Sequence, residues 1–471
     1  MRIPTGFNLH RKHTHIVWGG AMKKWFVWVA SIIVVLVAAA AAHAQLMFTP
    51  RVSVTEEYND NINLDRRNKM DDWITTVSPG ATLEWYGQTA GFRLDYDPAY
   101  SFYADHDEYD GWSHNARGTV WYNFSRATRL DVSNYFIYTK QPLSDDTFDS
   151  GENLVIQGNN RSRGQEKYYT NQASARLSHQ FGPENTVYAQ MAGGFTNYDD
   201  PGDATTDGTT NEDGQWFTPS VGLTYWFSTR NGIESDFSYT RGFYEEGRSD
   251  FNNYDGRLRF NHRLTQQTGV FGQYRQIYRT WDDPSDTTVN GTEEQDYLVY
   301  APSVGVFHQF DPTMTGSIGV GYFYQQVKDG NDQKGPFISS ELNKLWDFQR
   351  WSIRLRTASG IDSQDFSGDQ EGFERFALVD VITRYNFTRD FFGDLILGAR
   401  YSDYLDSEDD EKDYRYTAEV GLGYNITRWA TIRVAYAFNK LDAVNSTEDY
   451  EQNRVFATLT LSPSQPWRIF D

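Results

Sequence analysis

Side-chain polarity alternates with a period of two along almost the whole chain after residue 44, the pattern of strands with one apolar and one polar face. In Tyr416–Ile426, Tyr416, Ala418, Val420, Leu422, Tyr424 and Ile426 fall on one face, with Thr417, Glu419, Gly421, Gly423 and Asn425 on the other. The following run repeats it, with Ile432, Val434, Tyr436 and Phe438 opposite Thr431, Arg433, Ala435 and Asn439. Leu298–Phe310, Ile318–Tyr324, Ile233–Tyr239 and Leu395–Tyr401 alternate likewise. Glycines blur the faces around Ala189–Phe195, and Pro98 and Pro302 interrupt otherwise regular patterns.

The connections alternate in kind. Short ones carry a signature of aromatic, any residue, Phe or Ile, and Ser or Thr, ending in Arg: Tyr122–Arg126, Tyr225–Arg230 (with Thr229 before the Arg), Tyr385–Arg389 and Tyr424–Arg428. Long ones are polar and acidic, as in Asp199–Gly214, Asp282–Glu294, Asp362–Gly372 and Asp406–Lys412. Strand, short turn, strand and long loop recur at intervals of roughly 40 residues. A propeller blade of that length packs four strands, whereas each interval here holds two. Their length suits a membrane crossing of about 9–11 tilted residues. Lipid offers no hydrogen bonds, so such strands must close into a ring. The reading is an all-β chain forming a single transmembrane antiparallel β-barrel of about 20 strands (between roughly 18 and 22), with both termini on the short-turn side. A soluble β-sandwich or solenoid also alternates, but needs neither two loop lengths nor aromatic girdles at the strand ends.

Composition narrows the function. At 471 residues a prior of about 150 per domain suggests three domains, which one large barrel overrides. Aromatics make up 16% of a chain with 39% hydrophobic residues, which excludes a disordered polymer. The absence of cysteine excludes disulfides, thiolate metal sites and a cysteine nucleophile. The net charge of −21 argues against a nucleic-acid partner. No cofactor or metal is expected.

The first 44 residues are different material. They hold five basic residues and no acidic one, so residues 45–471 carry 38 basic and 64 acidic side chains, a net of −26. Lys23 and Lys24 precede an apolar run from Trp25 to Ala42, which ends in Ala42-His43-Ala44. This is the order of a secretory signal peptide, with Met22 as the expected start, residues 1–21 an overrun, and cleavage after Ala44. A retained membrane anchor is the alternative. Residues 45–471 form the barrel.

The segment Pro50–Leu64 contains a Glu-x-Tyr-x-Asp-Asn-aliphatic-x-Leu stretch, matched by Glu56 or Glu57, Tyr58, Asp60, Asn61, Ile62 and Leu64. It resembles the first strand and loop of the β-barrel porins associated with exopolysaccharide and exosortase (PEP-CTERM) loci. The short-turn signatures and the final strand Arg454–Leu461 are similar to the same group. One departure is the C-terminus, where Ser462-Pro463 ends the strand and a tail runs to Phe470-Asp471. The resemblance implies an outer-membrane pore and names no substrate.

The inward faces hold charges of both signs. Arg257, Arg259 and Arg263 alternate along one strand, and Arg275 and Arg279 fall on the next, so neighbouring strands can present a ladder of guanidinium groups to the lumen. Arg354 and Arg356 form a second row, with Arg384, Arg400 and Arg433 on later strands. The carboxylates Glu234, Asp236, Glu341, Asp380, Asp394 and Glu419 lie among or beside them. Two readings stand: mutual charge pairing that orders a wet lumen, or a constriction selecting phosphate, carboxylate or acidic sugars. A one-residue slip of register would turn every one of these side chains outward. The acidic loops, with Asp199, Asp200, Asp203, Asp207, Glu212 and Asp213 in one and Asp406, Glu408, Asp409, Asp410 and Glu411 in another, are either simply solvated or bridged by divalent cations to surface lipopolysaccharide. They lack the spacing of a dedicated calcium loop.

The function expected is an outer-membrane channel, for passive diffusion or for polysaccharide export. The alternatives are a structural barrel with a blocked lumen that binds surface polysaccharide, and a barrel enzyme. After the signal only His106, His114, His179, His262 and His308 remain, and no G-x-S-x-G or H-E-x-x-H motif is present. Loop 142–165 is the candidate constriction loop. Expected partners are outer-membrane lipid, lipopolysaccharide and the barrel-assembly machinery, with polysaccharide or small anionic solutes as cargo.

Overall fold

The computed structural model describes residues 46–141, 165–199, 213–244, 249–282, 288–289, 292–293, 295–311, 314–328, 330–363, 373–405, 411–444 and 449–470. The signal segment, most of loop 142–165 and most acidic-loop carboxylates named above lie outside them. Twenty long strands succeed one another: β1 Leu46–Asn59, β2 Asp72–Tyr86, β3 Ala90–Tyr103, β4 Gly111–Asn123, β5 Thr128–Thr139, β6 Tyr168–Gln180, β7 Thr186–Tyr198, β8 Gly214–Trp226, β9 Asn231–Tyr244, β10 Phe251–Arg263, β11 Thr268–Trp281, β12 Tyr297–Asp311, β13 Met314–Val327, β14 Gln333–Asp347, β15 Trp351–Ser363, β16 Phe373–Asn386, β17 Phe391–Tyr404, β18 Lys412–Thr427, β19 Ala430–Val444 and β20 Tyr450–Leu461. Each pairs antiparallel with its sequence neighbours. The first strand then pairs with the last, from Val52 opposite Leu461 to Asn59 opposite Arg454, and the sheet closes as expected from the sequence. Closure removes the unpaired edge that lipid cannot satisfy. A tail strand, Trp467–Phe470, pairs with Leu46, Met47 and Phe48 where β1 overhangs β20.

The two loop lengths segregate to the two ends. Turns at one end span from two residues (428–429) to five (181–185), and connections at the other from five (328–332) to 28 (140–167). In an outer-membrane barrel the short turns face the periplasm and the long loops the exterior.

The short-turn signature has a local cause. The Ser or Thr hydroxyl accepts the N–H groups two and three residues on, which pins the reversal: Ser125 from Ala127 and Thr128, Ser228 from Arg230 and Asn231, Thr388 from Asp390 and Phe391. The two aromatics before it share one face of the strand. Tyr122 and Phe124 meet with ring centroids 4.8 Å apart, and Tyr385 and Phe387 at 4.9 Å. These rings build the periplasmic girdle. The outer girdle comes from cross-strand pairs such as Tyr58 with Trp73, Tyr100 with Trp112, and Tyr239, Tyr254 and Tyr278 in sequence. Between the girdles, outward Leu258, Val304, Val306, Ile318, Val320, Ile338, Val420 and Leu422 are all exposed, forming the apolar belt that meets lipid.

Prolines stay inside the strands but break the ladder locally. Pairing of β2 with β3 lapses between Val77–Tyr100 and Ala81–Tyr96, around Pro79 and Pro98. Pairing of β8 with β9 skips Pro219, and that of β12 with β13 skips Pro302. The missing N–H explains each gap.

The β1–β20 seam is clasped by the segment that follows β1. Asp60 accepts both the backbone N–H and the side-chain amide of Asn453, each at 2.7 Å. Asn61, fully buried, donates to the carbonyls of Asp65 and Glu451 and accepts from the Asp65 N–H, while Gln452 donates to the Asn61 carbonyl. Ile62 packs on Ile74 and Tyr103, which face inward on β2 and β3, so this loop turns into the barrel mouth. Leu64 closes it with φ at +53°, a conformation a branched side chain holds only when its surroundings fix it.

Candidate functional site

The lumen wall carries three clusters of ionised side chains. On β1–β3, Arg51 pairs with Asp97 and approaches Asp95 at 3.9 Å, while Arg93 pairs with Asp95 at 2.7 Å and Glu84 at 3.1 Å. The i, i+2 spacing of Arg93, Asp95 and Asp97 marks a charged inner face on this strand in the sequence itself, beyond the residues expected above.

The second cluster spans β6–β11 and contains most of the expected basic ladder. Arg257 pairs with Asp236 at 2.5 Å, and the Tyr188 hydroxyl donates to the same carboxylate at 2.9 Å. Arg176 lies over the Tyr188 ring, 3.8 Å from its centroid. Arg259 lies over Phe271 at 3.8 Å and donates to Asn261, whose amide donates to Glu234 at 2.7 Å; Glu341 is within electrostatic reach of Arg259. Arg275 is held by Asp255 at 2.6 Å and Asp362 at 3.1 Å. The ends of the row sit apart from this group. Arg263 pairs with Glu184 in a periplasmic turn at 2.9 Å and stacks on Trp226. Arg279 is fully buried at the outer end against Phe251, Trp281 and Tyr297.

The third cluster lies on β15–β19. Arg433 bridges Asp394 and Glu419, and Arg400 pairs with the buried Glu374 at 2.5 Å. Arg356 stands directly opposite Asp380 on β16. Arg384 stands opposite Asp394, a carboxylate already engaged by Arg433, and lies instead over the Phe392 ring at 3.7 Å. Arg354 has no hydrogen-bond or ion-pair partner among the described residues, and sits diagonally across from Arg384. Room for Phe392 comes from Gly423 on the next strand: a Cβ there would lie 2.1 Å from the Phe392 ring.

The five histidines hold turns, loops and girdle contacts. His106 meets Asp72 at 2.9 Å, a carboxylate that also accepts three backbone N–H groups of the β3–β4 connection. His179, His262 and His308 bond Thr128, Asn231 and Thr268 beside periplasmic turns, and His114 bonds the Tyr96 hydroxyl. Among the described residues no cluster of His, Asp or Glu is arranged to hold a metal ion.

A closed ring of 20 strands with an aliphatic belt between two aromatic girdles and a charged interior is now in place. Residues 236–462, from within β9 past the end of β20, match the family described as Putative beta-barrel porin 2. This is a porin-like barrel of the bacterial outer membrane. Among solved structures the porin-like chain is similar to a BenF-like porin from Pseudomonas fluorescens Pf-5, at 11% identity and a TM-score of 0.37 over 89% of this chain and 99% of that one. It is also similar to the outer membrane protein opdK from Pseudomonas aeruginosa, at 12% and 0.37 over 88% and 99%. The ferric-catecholate import receptor Fiu from E. coli K12 gives 10% and 0.44 over 87% and 81%. A comparison with curated proteins finds no match.

Proposed function

We propose that the barrel is a non-enzymatic, passive channel for small hydrophilic solutes with a preference for anions. One observation carries the preference. Among the described residues the lumen carboxylates Asp95, Asp97, Asp236, Asp255, Glu374, Asp394 and Glu419 each hold an arginine and Glu234, Glu341 and Asp380 do not, whereas Arg176, Arg259, Arg354, Arg356 and Arg384 have no carboxylate within ion-pair distance. Three of these lie over aromatic rings, at 3.7 to 3.8 Å from the centroid, which holds the guanidinium without neutralising its charge. An unengaged guanidinium recognises carboxylate or phosphate by paired N–H donors. A wall on which arginines without an ion pair outnumber carboxylates without one favours anions although the chain as a whole is acidic.

Small anionic metabolites and acidic saccharides share this chemistry. Residues 22–44 act as the cleaved export signal, and the barrel-assembly machinery inserts the chain among lipopolysaccharide. Zero-current potentials across a bilayer separating unequal KCl solutions test the reading. The sign set by chloride passing faster supports it; a cation-set sign overturns the preference.

A further inference from the structure

The barrel wall forks at its outer end. Strands β14 and β15 pair from Asp347–Ser352 only as far as Ser340–Ser359. Beyond that point β14 continues to Gln333 paired with β13 alone, and β15 continues to Ser363 paired with β16 alone. The outer end of β15 has parted from β14, while β16 stays paired with β17 out to Glu374–Tyr404. Its direction is fixed by what it touches. Ile361 and Phe373 are 3% and 0% exposed, and they share one apolar cluster with Ile277, Val299, Ala301, Phe323 and Phe337 on the inward faces of β11–β14. The Phe373 ring lies 5.6 Å from Phe323 and 6.2 Å from Tyr297.

The polar contacts agree. Arg275 on β11 donates to the Ile361 carbonyl at 2.5 Å and to Asp362 at 3.1 Å, while Asp255 on β10 holds the same guanidinium from behind. Four strand intervals of about 4.8 Å separate β11 from β15 along the wall, roughly 19 Å, so the contact requires the outer end of β15 to lie inside the barrel over the inner faces of β12–β14. On the wall side, Arg375 of β16 reaches past β15 to the Pro336 carbonyl of β14 at 3.2 Å and pairs with Asp403 of β17, bridging the gap that β15 vacates.

We infer that the inturned outer end of β15–β16 is the constriction of this channel, and that Arg275 is the positioning residue that latches it inside the β11–β14 wall. The inference rests on the channel reading and adds the element that sets the solute size limit. An unobstructed ring of 20 strands exceeds the 16–18 of porins that leave an aqueous channel, so a device that narrows it is needed for any size selection. Arginine suits the latch because its planar fork reaches a backbone carbonyl and two carboxylates at once, which a lysine cannot reproduce.

The test compares the full-length protein with Arg275→Ala, Arg275→Lys, Asp362→Asn and Phe373→Ser in planar bilayers and in liposome swelling with neutral sugars of increasing size. Resistance to detergent at room temperature on gels and the far-UV spectrum report that the barrel is intact. The isosteric Asp362→Asn keeps the test open should the larger changes fail to fold. Release of the latch is expected to raise single-channel conductance about twofold or more and to admit sugars that the parent excludes, with Arg275→Lys between the two. A conducting parent whose folded variants show the same conductance and size limit overturns the inference and leaves the channel reading standing. A silent parent with conducting variants supports the latch and overturns the open-channel reading. Silence in every folded variant overturns the latch as well.

Discussion

Replacing Asn61 by alanine isolates the energy of the seam clasp. Its side chain makes three hydrogen bonds in a fully buried position: Nδ2 to the Asp65 and Glu451 carbonyls at 2.9 Å each, and Oδ1 from the Asp65 N–H at 3.0 Å. Each such bond contributes about 1 kcal/mol net, and a buried partner left without one costs at least as much. The expected loss is therefore about 3 kcal/mol, the larger part from the orphaned Asp65 N–H and Glu451 carbonyl. The Glu451 contact spans the join between first and last strands, so the effect should appear as a lowered denaturant midpoint with an unchanged slope. Equilibrium unfolding of the barrel in lipid vesicles, followed by tryptophan fluorescence, measures it. Asn63→Ala is the comparator, because its one side-chain hydrogen bond among the described residues is an exposed one to the Asn68 carbonyl at 3.2 Å, and a change within about 0.5 kcal/mol is expected there. Equal midpoints for the two variants would refute the assignment of Asn61 to the seam.

Three further outcomes follow from the geometry. Gly423→Val drives a side chain into Phe392 and so displaces the ring beneath Arg384; anion preference should fall while barrel formation persists, and an unchanged zero-current potential would sink the link. Val320, 63% exposed in the apolar belt, should tolerate arginine poorly, losing about 2–4 kcal/mol in vesicle unfolding; a neutral result would place that face away from lipid. The pair Arg354→Gln with Arg384→Gln removes spare positive charge without breaking an ion pair, so selectivity should move toward cations with stability little changed, read by the same potential and the same unfolding curve.

Much of the fold was legible because it depends on local chemistry. The period of two, the Ser or Thr that caps several of the periplasmic turns and the Tyr-x-Phe pair of the inner girdle are all encoded within five residues, and they carry the architecture and strand count. Inward placement of Arg257 and Asp236 followed from alternation on adjacent strands. Cross-barrel contacts were not legible: Arg275 and Asp362 are 87 residues apart and meet only because β15 leaves the wall. Alternation lapses at Thr357-Ala358-Ser359-Gly360, where β15 parts from β14, but a run of small residues does not say where the strand goes next. Around Ala189–Phe195 the blurred faces have a packing reason, since Gly194 leaves space that the indole of Trp216 occupies. The Asp60-Asn61 stretch stood out as a motif, but its role in the seam required the register of β1 against β20.

The central claim is that a water-filled, charge-lined path crosses this barrel. Single-channel recording from the purified, folded protein in planar bilayers tests it most directly. The account predicts discrete, reproducible conductance steps carried mainly by chloride. Bilayers that stay silent at high voltage, with folded barrel shown to be inserted, would contradict it.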